Sequence, residues 1–142
     1  MGQLTFLAME EILKIYFQND ATIDIPETLY IGLAYSAISP DDTLATIDEE
    51  NDDNYERQGI TFTDPAESVG IVSIENNDAI LFPANDALGN WISWGFITDA
   101  ETGTSGKILA TIEWDAAKQA PAGESIEIPI GEVKIHFQGG GE

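Results

Sequence analysis

Short segments of alternating apolar and polar residues, separated by turn-forming residues, make up most of this sequence after residue 28. The first segment, LYIGLAYS, places four apolar side chains on one side of an extended chain: Leu29, Ile31, Leu33 and Tyr35. Seven further strand-like segments follow: RQGITF, VGIVSIE, AILFPA, WISWGFIT, KILATIEW, APAGESIEIPI and GEVKIHF. Many short strands with frequent turns are typical of an antiparallel β-sandwich or a barrel-like domain. The sequence therefore predicts a mainly β domain over about residues 27–138.

Strict alternation assigns the side chains of the later strands to the core or to solvent. Three residues of one strand are predicted to share a face: Ile92, Trp94 and Phe96. Four residues of the next strand are predicted to do the same: Ile108, Ala110, Ile112 and Trp114. In the last strand, three residues are expected to point inward, namely Val133, Ile135 and Phe137, with Lys134 and His136 pointing outward.

Residues 5–19 have helical periodicity instead, and predict one N-terminal amphipathic helix. Five large apolar side chains fall on one face of this helix: Phe6, Met9, Leu13, Tyr16 and Phe17. An apolar stripe of this size marks a contact site when it is exposed. The helix is therefore expected to pack on the β-domain or at a subunit boundary. The chain has 142 residues, which fits one domain spanning 1–142.

A large excess of acidic residues limits the partners that the chain can have. Five Lys and Arg residues face 26 Asp and Glu residues, for a net charge of −21. Binding to nucleic acid depends on cations that meet phosphates, so a role with nucleic acid is not expected. Anionic membranes are disfavoured for the same reason, and no apolar run of about twenty residues predicts a span. The excess of acids is expected to form a highly soluble surface, and a docking surface for a basic partner is the alternative.

The most acidic segment, IDEENDDNYERQGITF, runs from Ile47 to Phe62 and raises the question of a metal site. A calcium loop requires acids or Asn at alternate positions, followed by Gly. Asp48, Glu50 and Asp52 alternate, but Asp53 stands where Gly is required. The sequence thus predicts no metal site and no cofactor, and favours a solvated loop that returns through Arg57 into a strand. Arg57 is expected to neutralise part of the loop, with a two-point carboxylate pair as one possible geometry.

Catalytic motifs are missing from the sequence. It has no cysteine, its one histidine is His136 on the polar side of a strand, and no GxSxG or phosphate-binding glycine loop occurs. A pair of glycosidase-type carboxylates is weak evidence in a chain with 26 acids. The chain is therefore not expected to be an enzyme.

Three tryptophans leave a carbohydrate-binding platform as an alternative. Trp94 and Trp114 fit the alternating core pattern, and aromatic rings supply much of the apolar area of a core. Trp91 has the opposite parity to Trp94 and is expected at a rim or an interface.

The order of the motifs resembles a family of small bacteriophage virion structural proteins, often labelled tail-fibre proteins and in some cases head-decoration proteins. After the helix come YIGLAYS from Tyr30, then Tyr55, Arg57, Gln58 and Phe62, then ILFPA from Ile80. A strand with Trp91 and Gly95 follows, then the DAETG turn from Asp99, and finally APAGESIEIPIGEVKI with Gly123. The resemblance covers nearly the whole chain, but the loop before Tyr55 is more acidic than in relatives.

The resemblance implies a framework, an assembly function and a place in the virion. It implies that five residues hold the framework and the loop: Tyr55, Arg57, Phe62, Gly95 and Gly123. The helix face and Trp91 are then the assembly contact. A compact domain favours a capsid decoration or cement protein that binds the major capsid protein as a homo-oligomer, perhaps a trimer. A tail-fibre or tail-attachment protein is the alternative, and a carbohydrate-binding module is the second alternative.

Overall fold

The computed structural model describes residues 2–138, which contain one α-helix and ten β-strands. The helix is α1 (Phe6–Phe17), and the strands in chain order are β1 (Gly2–Leu4), β2 (Leu29–Ala34), β3 (Gln58–Ile60), β4 (Ala66–Ser68), β5 (Ile71–Glu75), β6 (Ile80–Leu81), β7 (Ile92–Thr98), β8 (Ile108–Lys118), β9 (Glu127–Ile128) and β10 (Lys134–Gln138). Eight of the strands form one sheet in the order β3-β2-β7-β8-β1-β10-β5-β4, and β6 pairs with β9 in a separate ribbon.

Antiparallel pairing dominates the large sheet, and only the β1–β10 pair among the described strands is parallel. The predicted mainly β, antiparallel fold with one N-terminal helix is confirmed. Strand β1 was not predicted, although it sits between β8 and β10 in the sheet.

One continuous segment, residues 58–68, links the two edges of the sheet. Its beginning, β3, pairs with β2, and its end, β4, pairs with β5. Between them, Phe62 forms an antiparallel bridge with Asn76, and the amide of Thr63 donates to the carbonyl of Glu75 at 2.8 Å. Because the same segment meets strands from both ends of the sheet order, the sheet closes into a barrel-like arrangement.

The core divides into two clusters of buried side chains. The larger one is formed by strands of the large sheet together with the β6–β9 ribbon, and contains Ile31, Leu33, Ile60, Ile80, Phe82, Ile92, Ile97, Ala110, Ile112, Trp114, Ala120, Ile126, Ile128, Val133 and Ile135. The smaller one contains Ala34, Ile38, Leu44, Phe96 and Ile108, with Trp94 half-buried against it. Apolar side chains on neighbouring positions of β7 therefore reach different clusters.

Irregular pairing of β7 with β8 overturns two of the predicted face assignments. Ile97 pairs with Ala110 but Thr98 pairs with Ile108, so one residue of β8 is skipped and Ile108 lies in the smaller cluster. A second shift follows Ile92, which joins the larger cluster while Trp94 packs on the smaller one. A bulge of this kind moves every side chain beyond it to the opposite face.

Two further core predictions are also corrected. Val133 and Ile135 are buried as expected, but Phe137, near the end of β10, is 50% exposed. Trp114 is buried, whereas Trp94 is only half-buried.

The helix is shorter than the predicted 5–19, because Thr5 and Gln18 cap it. The Thr5 hydroxyl accepts a hydrogen bond from the amide of Ala8 at 3.2 Å and donates to the carbonyl of Ile108 at 2.6 Å. The cap therefore also fastens the start of α1 to β8, and an ion pair between Lys107 and Glu11 at 2.7 Å adds a second attachment. Within residues 2–138, no helix has the length and apolar character needed to cross a membrane.

Candidate functional site

Arg57 connects the acidic loop to the turn between β7 and β8. Its guanidinium binds both carboxylate oxygens of Glu49, Nε to Oε2 at 2.8 Å and Nη2 to Oε1 at 2.7 Å. It also donates to the carbonyls of Ala100 at 3.0 Å and Gly103 at 2.8 Å, and lies 5.5 Å from the centre of the Phe96 ring. The side chain is buried, and its bonds to Glu49 raise the pKa of Arg57 above its ordinary value. Two-point geometry and burial make this a well-ordered clamp.

Tyr55 supports the same clamp from the β2 side. Its hydroxyl donates to Oε2 of Glu49 at 2.7 Å and accepts from the backbone amide of Leu33 at 3.0 Å. Its ring stacks on Phe82 with the centroids 6.1 Å apart. Burial, and then the negative charge of Glu49, raise the pKa of Tyr55 above its ordinary value. The hydroxyl therefore stays neutral and can keep donating to Glu49.

Glu50, the next residue, points to the other side of the loop. Its Oε1 accepts hydrogen bonds from the Tyr35 hydroxyl and from the amides of Asn51 at 2.9 Å and Asp52 at 3.0 Å. Partial burial and the bond to Glu50 raise the pKa of Tyr35 to about 12. The two adjacent glutamates thus bind two different tyrosines.

Asp52 holds the acidic loop against the segment before β7. Its carboxylate accepts from the amides of Asp86 at 2.9 Å and Ala87 at 3.2 Å, and also from Asn54 at 3.0 Å. These backbone bonds, that from Asp86 first, lower the pKa of Asp52. The segment predicted to be a solvated loop is thus tied at three acidic side chains.

The other proposed framework residues lie at separate places in the barrel. Phe62 is half-buried against the larger cluster, in the segment that closes the sheet. Gly95 lies under Trp114, whose ring atom Cζ2 would be 2.5 Å from a Cβ at that position. Gly123 has φ +80°, in a turn where its amide donates to the carbonyl of Asn85 at 2.8 Å.

The predicted helix face lies on the outer side of α1. All five residues are exposed: Phe6 59%, Met9 40%, Leu13 58%, Tyr16 77% and Phe17 81%. The helix contacts the barrel through its other side, where Ala8 is buried and Ile12 and Ile15 are half-buried. The stripe was expected to pack either on the β-domain or at a subunit boundary. Because its residues are exposed, it does not pack on its own β-domain, and packing at a subunit boundary stays a prediction.

A largely apolar cavity of about 460 Å³ lies between the inner side of α1 and the barrel. Ile12 and Ile15 line it from the helix, and Phe62, Ile97 and Phe137 line it from the strands. The sequence did not reveal this cavity, because it arises where the helix spans the barrel without filling the space below.

Trp91 is 60% exposed and lies apart from the helix. It precedes Ile92, which pairs with Lys118 at the far end of β8, whereas α1 is fastened to Ile108 at the near end. The structure therefore brings the five helix residues together but places Trp91 elsewhere.

Comparison of the chain with known protein families identifies one family that it matches. Residues 3–136 match the model of the family described as Podophage GP4 fiber I protein gp80. No curated protein matches the chain. Because the family match spans nearly the whole chain, the chain belongs to this family of bacteriophage virion structural proteins.

Membership of a phage fibre family makes the chain a component of the virion. It also implies that the chain associates with other virion proteins. The exposed face of α1 is an apolar feature that could serve such an association, since exposed apolar patches mark contact sites.

Proposed function

We propose that this protein is a non-catalytic assembly component of the virion that binds a neighbouring virion protein through the outer face of α1. The observation that carries the proposal is the exposure of five large apolar side chains along one side of a single helix. Fully burying each such side chain is worth about 1.5–3 kcal/mol. A face of this kind fits a groove on a partner, in the manner of an amphipathic helix.

The charge of the chain supports a partner that is less acidic than itself. With a net charge of −21, identical copies repel each other, and only the burial of apolar surface at their contact can offset this repulsion. The outer face of α1 is such a surface, and its Glu10 is neutralised by Lys14 at 2.9 Å. A basic rim around the partner's groove would complement the remaining acids.

We infer a place on the head, with the major capsid protein as the partner and a symmetric homo-oligomer, perhaps a trimer, as the assembled form. The barrel-like domain supports this inference, since a compact β-domain suits a position between neighbouring subunits of a shell. Repeated contacts over a shell also add up, so a modest contact per subunit suffices for stable decoration.

A tail-fibre or tail-attachment protein is the second candidate, favoured by the description of the matched family as a fibre protein. The same helix face would then bind a tail component. The two candidates differ in which part of the particle carries the protein.

Fractionation of particles separates these candidates. Tail-less heads and whole particles are purified, and the protein is quantified against the major capsid protein in each. The head proposal expects the same ratio in both fractions. Loss of the protein from tail-less heads, with recovery in a tail fraction, would replace the head assignment with the tail assignment.

A further inference from the structure

The cavity beneath α1 reaches solvent through side chains that are themselves apolar. Its volume of about 460 Å³ falls within the range of roughly 300–1,000 Å³ that ligand sites of proteins have. Three large apolar residues line it and are also exposed: Ile25 71%, Val72 41% and Phe137 50%. The cavity is therefore an open groove, and an occupant that covers this apolar surface gains free energy.

The half of α1 that covers the groove is attached to the barrel by packing alone. The beginning of the helix is fastened through Thr5 and through the ion pair of Glu11 with Lys107. Within residues 2–138, no hydrogen bond or ion pair joins residues 12–17 to a strand. An occupant can therefore pack under this half of the helix without breaking a polar contact.

The charged residues at the groove are acidic. Among the described residues, Glu11 and Asp24 line it, and no Lys or Arg does. Glu11 is paired with Lys107, whereas Asp24 is exposed and forms no ion pair within residues 2–138. An occupant with a Lys or Arg beside its apolar side chains would match both the walls and the charge of the groove.

A second copy of this chain has no unpaired cation to offer at Asp24. The chain has five Lys and Arg residues, and each of them has an acidic partner within 4.0 Å. Residues 139–142 read GGGE, which contains neither a large apolar side chain nor a cation. These observations favour a different protein as the occupant, and membership of a phage fibre family implies association with other virion proteins.

We propose that the groove beneath α1 receives a segment of a neighbouring virion protein that carries apolar side chains and at least one Lys or Arg. The apolar side chains fill the space between Ile15 and Phe137, and the cation pairs with Asp24. A few anchor side chains that fill pockets supply most of the binding free energy of an interface. This contact lies on the opposite side of α1 from the proposed assembly face, so either contact can fail while the other holds.

Photo-cross-linking in purified particles tests the proposal. The photoreactive residue p-benzoylphenylalanine replaces Phe137 or Ile25 in the groove, or Tyr16 on the outer face of α1, and mass spectrometry identifies the cross-linked peptides. All three positions are at least half-exposed, so the variants should melt like the wild type. We expect positions 137 and 25 to cross-link to the same segment of another virion protein, and this segment to contain apolar residues and a Lys or Arg.

Two results at the groove positions would overturn the proposal. One is the absence of any cross-link to another virion protein from positions 137 and 25, and the other is a cross-link only to this chain or to a second copy of it. Cross-linking from position 16 alone would overturn the groove contact and leave the proposed assembly face standing.

Asp24→Lys tests the charge of the occupant. Because like charges would then face each other, the cross-link yield from position 137 per incorporated copy should fall at least about fivefold. Asp78→Lys, the same change at an exposed acid outside the groove, should leave this yield unchanged. Equal yields for the two variants would overturn the proposal.

Discussion

The guanidinium of Arg57, just before β3, and the carboxylate of Glu49, eight residues earlier in the acidic loop, form a two-point ion pair with N–O distances of 2.8 and 2.7 Å. The side chain of Arg57 is 4% exposed and that of Glu49 is 21% exposed. Glu49 is therefore one of three fixed acids in the loop, beside Glu50 and Asp52, while Asp48, Asp53 and Glu56 are exposed. The pair is one of the contacts that tether this segment, together with those of Glu50 and Asp52.

Arg57→Ala should lower the free energy of unfolding by about 3 kcal/mol, because it leaves the carboxylate of Glu49 and two carbonyls without their donor. For a domain of this size the melting temperature should fall by about 10 °C. Denaturant or thermal unfolding followed by circular dichroism measures the loss. Lys134→Ala is the matched control, since Lys134 lies 4.0 Å from Glu75 and is half-exposed; it should cost less than about 1 kcal/mol. Equal losses for the two variants would show that the clamp adds nothing to an ordinary surface pair.

Gly32→Ala should destabilise the barrel by about 1–3 kcal/mol through overpacking. A Cβ at Gly32 would fall within 3.0 Å of three atoms of the Phe96 ring, which is fully buried and cannot move aside cheaply. Gly59→Ala is the control on the neighbouring strand, because nothing lies within 4 Å of its Cβ position. Thermal melts of both variants make the comparison. If Gly32→Ala melts with or above Gly59→Ala, the close packing of β2 on Phe96 is wrong.

Replacing Leu13 and Phe17 together with Asp should leave the fold intact and abolish incorporation into particles. Both side chains are exposed, so the isolated domain loses little, whereas the proposed contact gains two charges. Leu81→Asp, on an exposed position of β6, should fold and incorporate normally, and Ala8→Asp, on the buried side of α1, should fail to fold. Circular dichroism and the copy number per particle are the two readouts. A double variant that folds and joins particles at the wild-type copy number would remove α1 as the anchor.

Raising KCl from about 0.01 M to about 0.15 M should raise the melting temperature by several degrees. The net charge of −21 causes self-repulsion, and the screening length shortens from about 30 Å to about 8 Å over this range. The surface ion pairs lose a little strength at the same time, but they are few beside the 26 acids. A flat or falling melting temperature would show that the acids are too well spaced to repel strongly.

The wild-type protein should bind no soluble glycan tightly, and Trp91→Ala should behave in the same way, because we expect no carbohydrate site. Trp91 is the most exposed tryptophan and so the one best placed to stack on a sugar ring. A screen of soluble glycans against the wild type and the variant measures this. Tight binding by the wild type that disappears in the variant would favour the carbohydrate-binding alternative.

The sequence predicted the type of element well and the face of each element less well. Alternation identified β7 and β8. It does not reveal the skipped residue in β8 that places Ile108 in the smaller cluster, nor the shift in pairing that separates Ile92 from Trp94. Both depend on how two strands pair, which a single strand does not encode. Strand β1 escaped notice because three residues are too few to show a period.

The helix illustrates a second limit. Periodicity found the stripe that begins with Phe6, but α1 also has Ala8, Ile12 and Ile15 on its other side, and this second face is the one that contacts the barrel. A helix with apolar residues on both faces does not say which face is covered within its own chain. The pairing of Arg57 with Glu49 was open in the same way, since six acids surround Arg57 in the segment and only the fold selects one.

A density map of the intact particle at side-chain resolution tests the central claim most directly. The account predicts that Tyr16 and Phe17 of α1 are buried against another virion protein on the head, at positions related by the symmetry of the shell. The account is contradicted if the outer face of α1 is turned to solvent in every copy of the protein that the map locates.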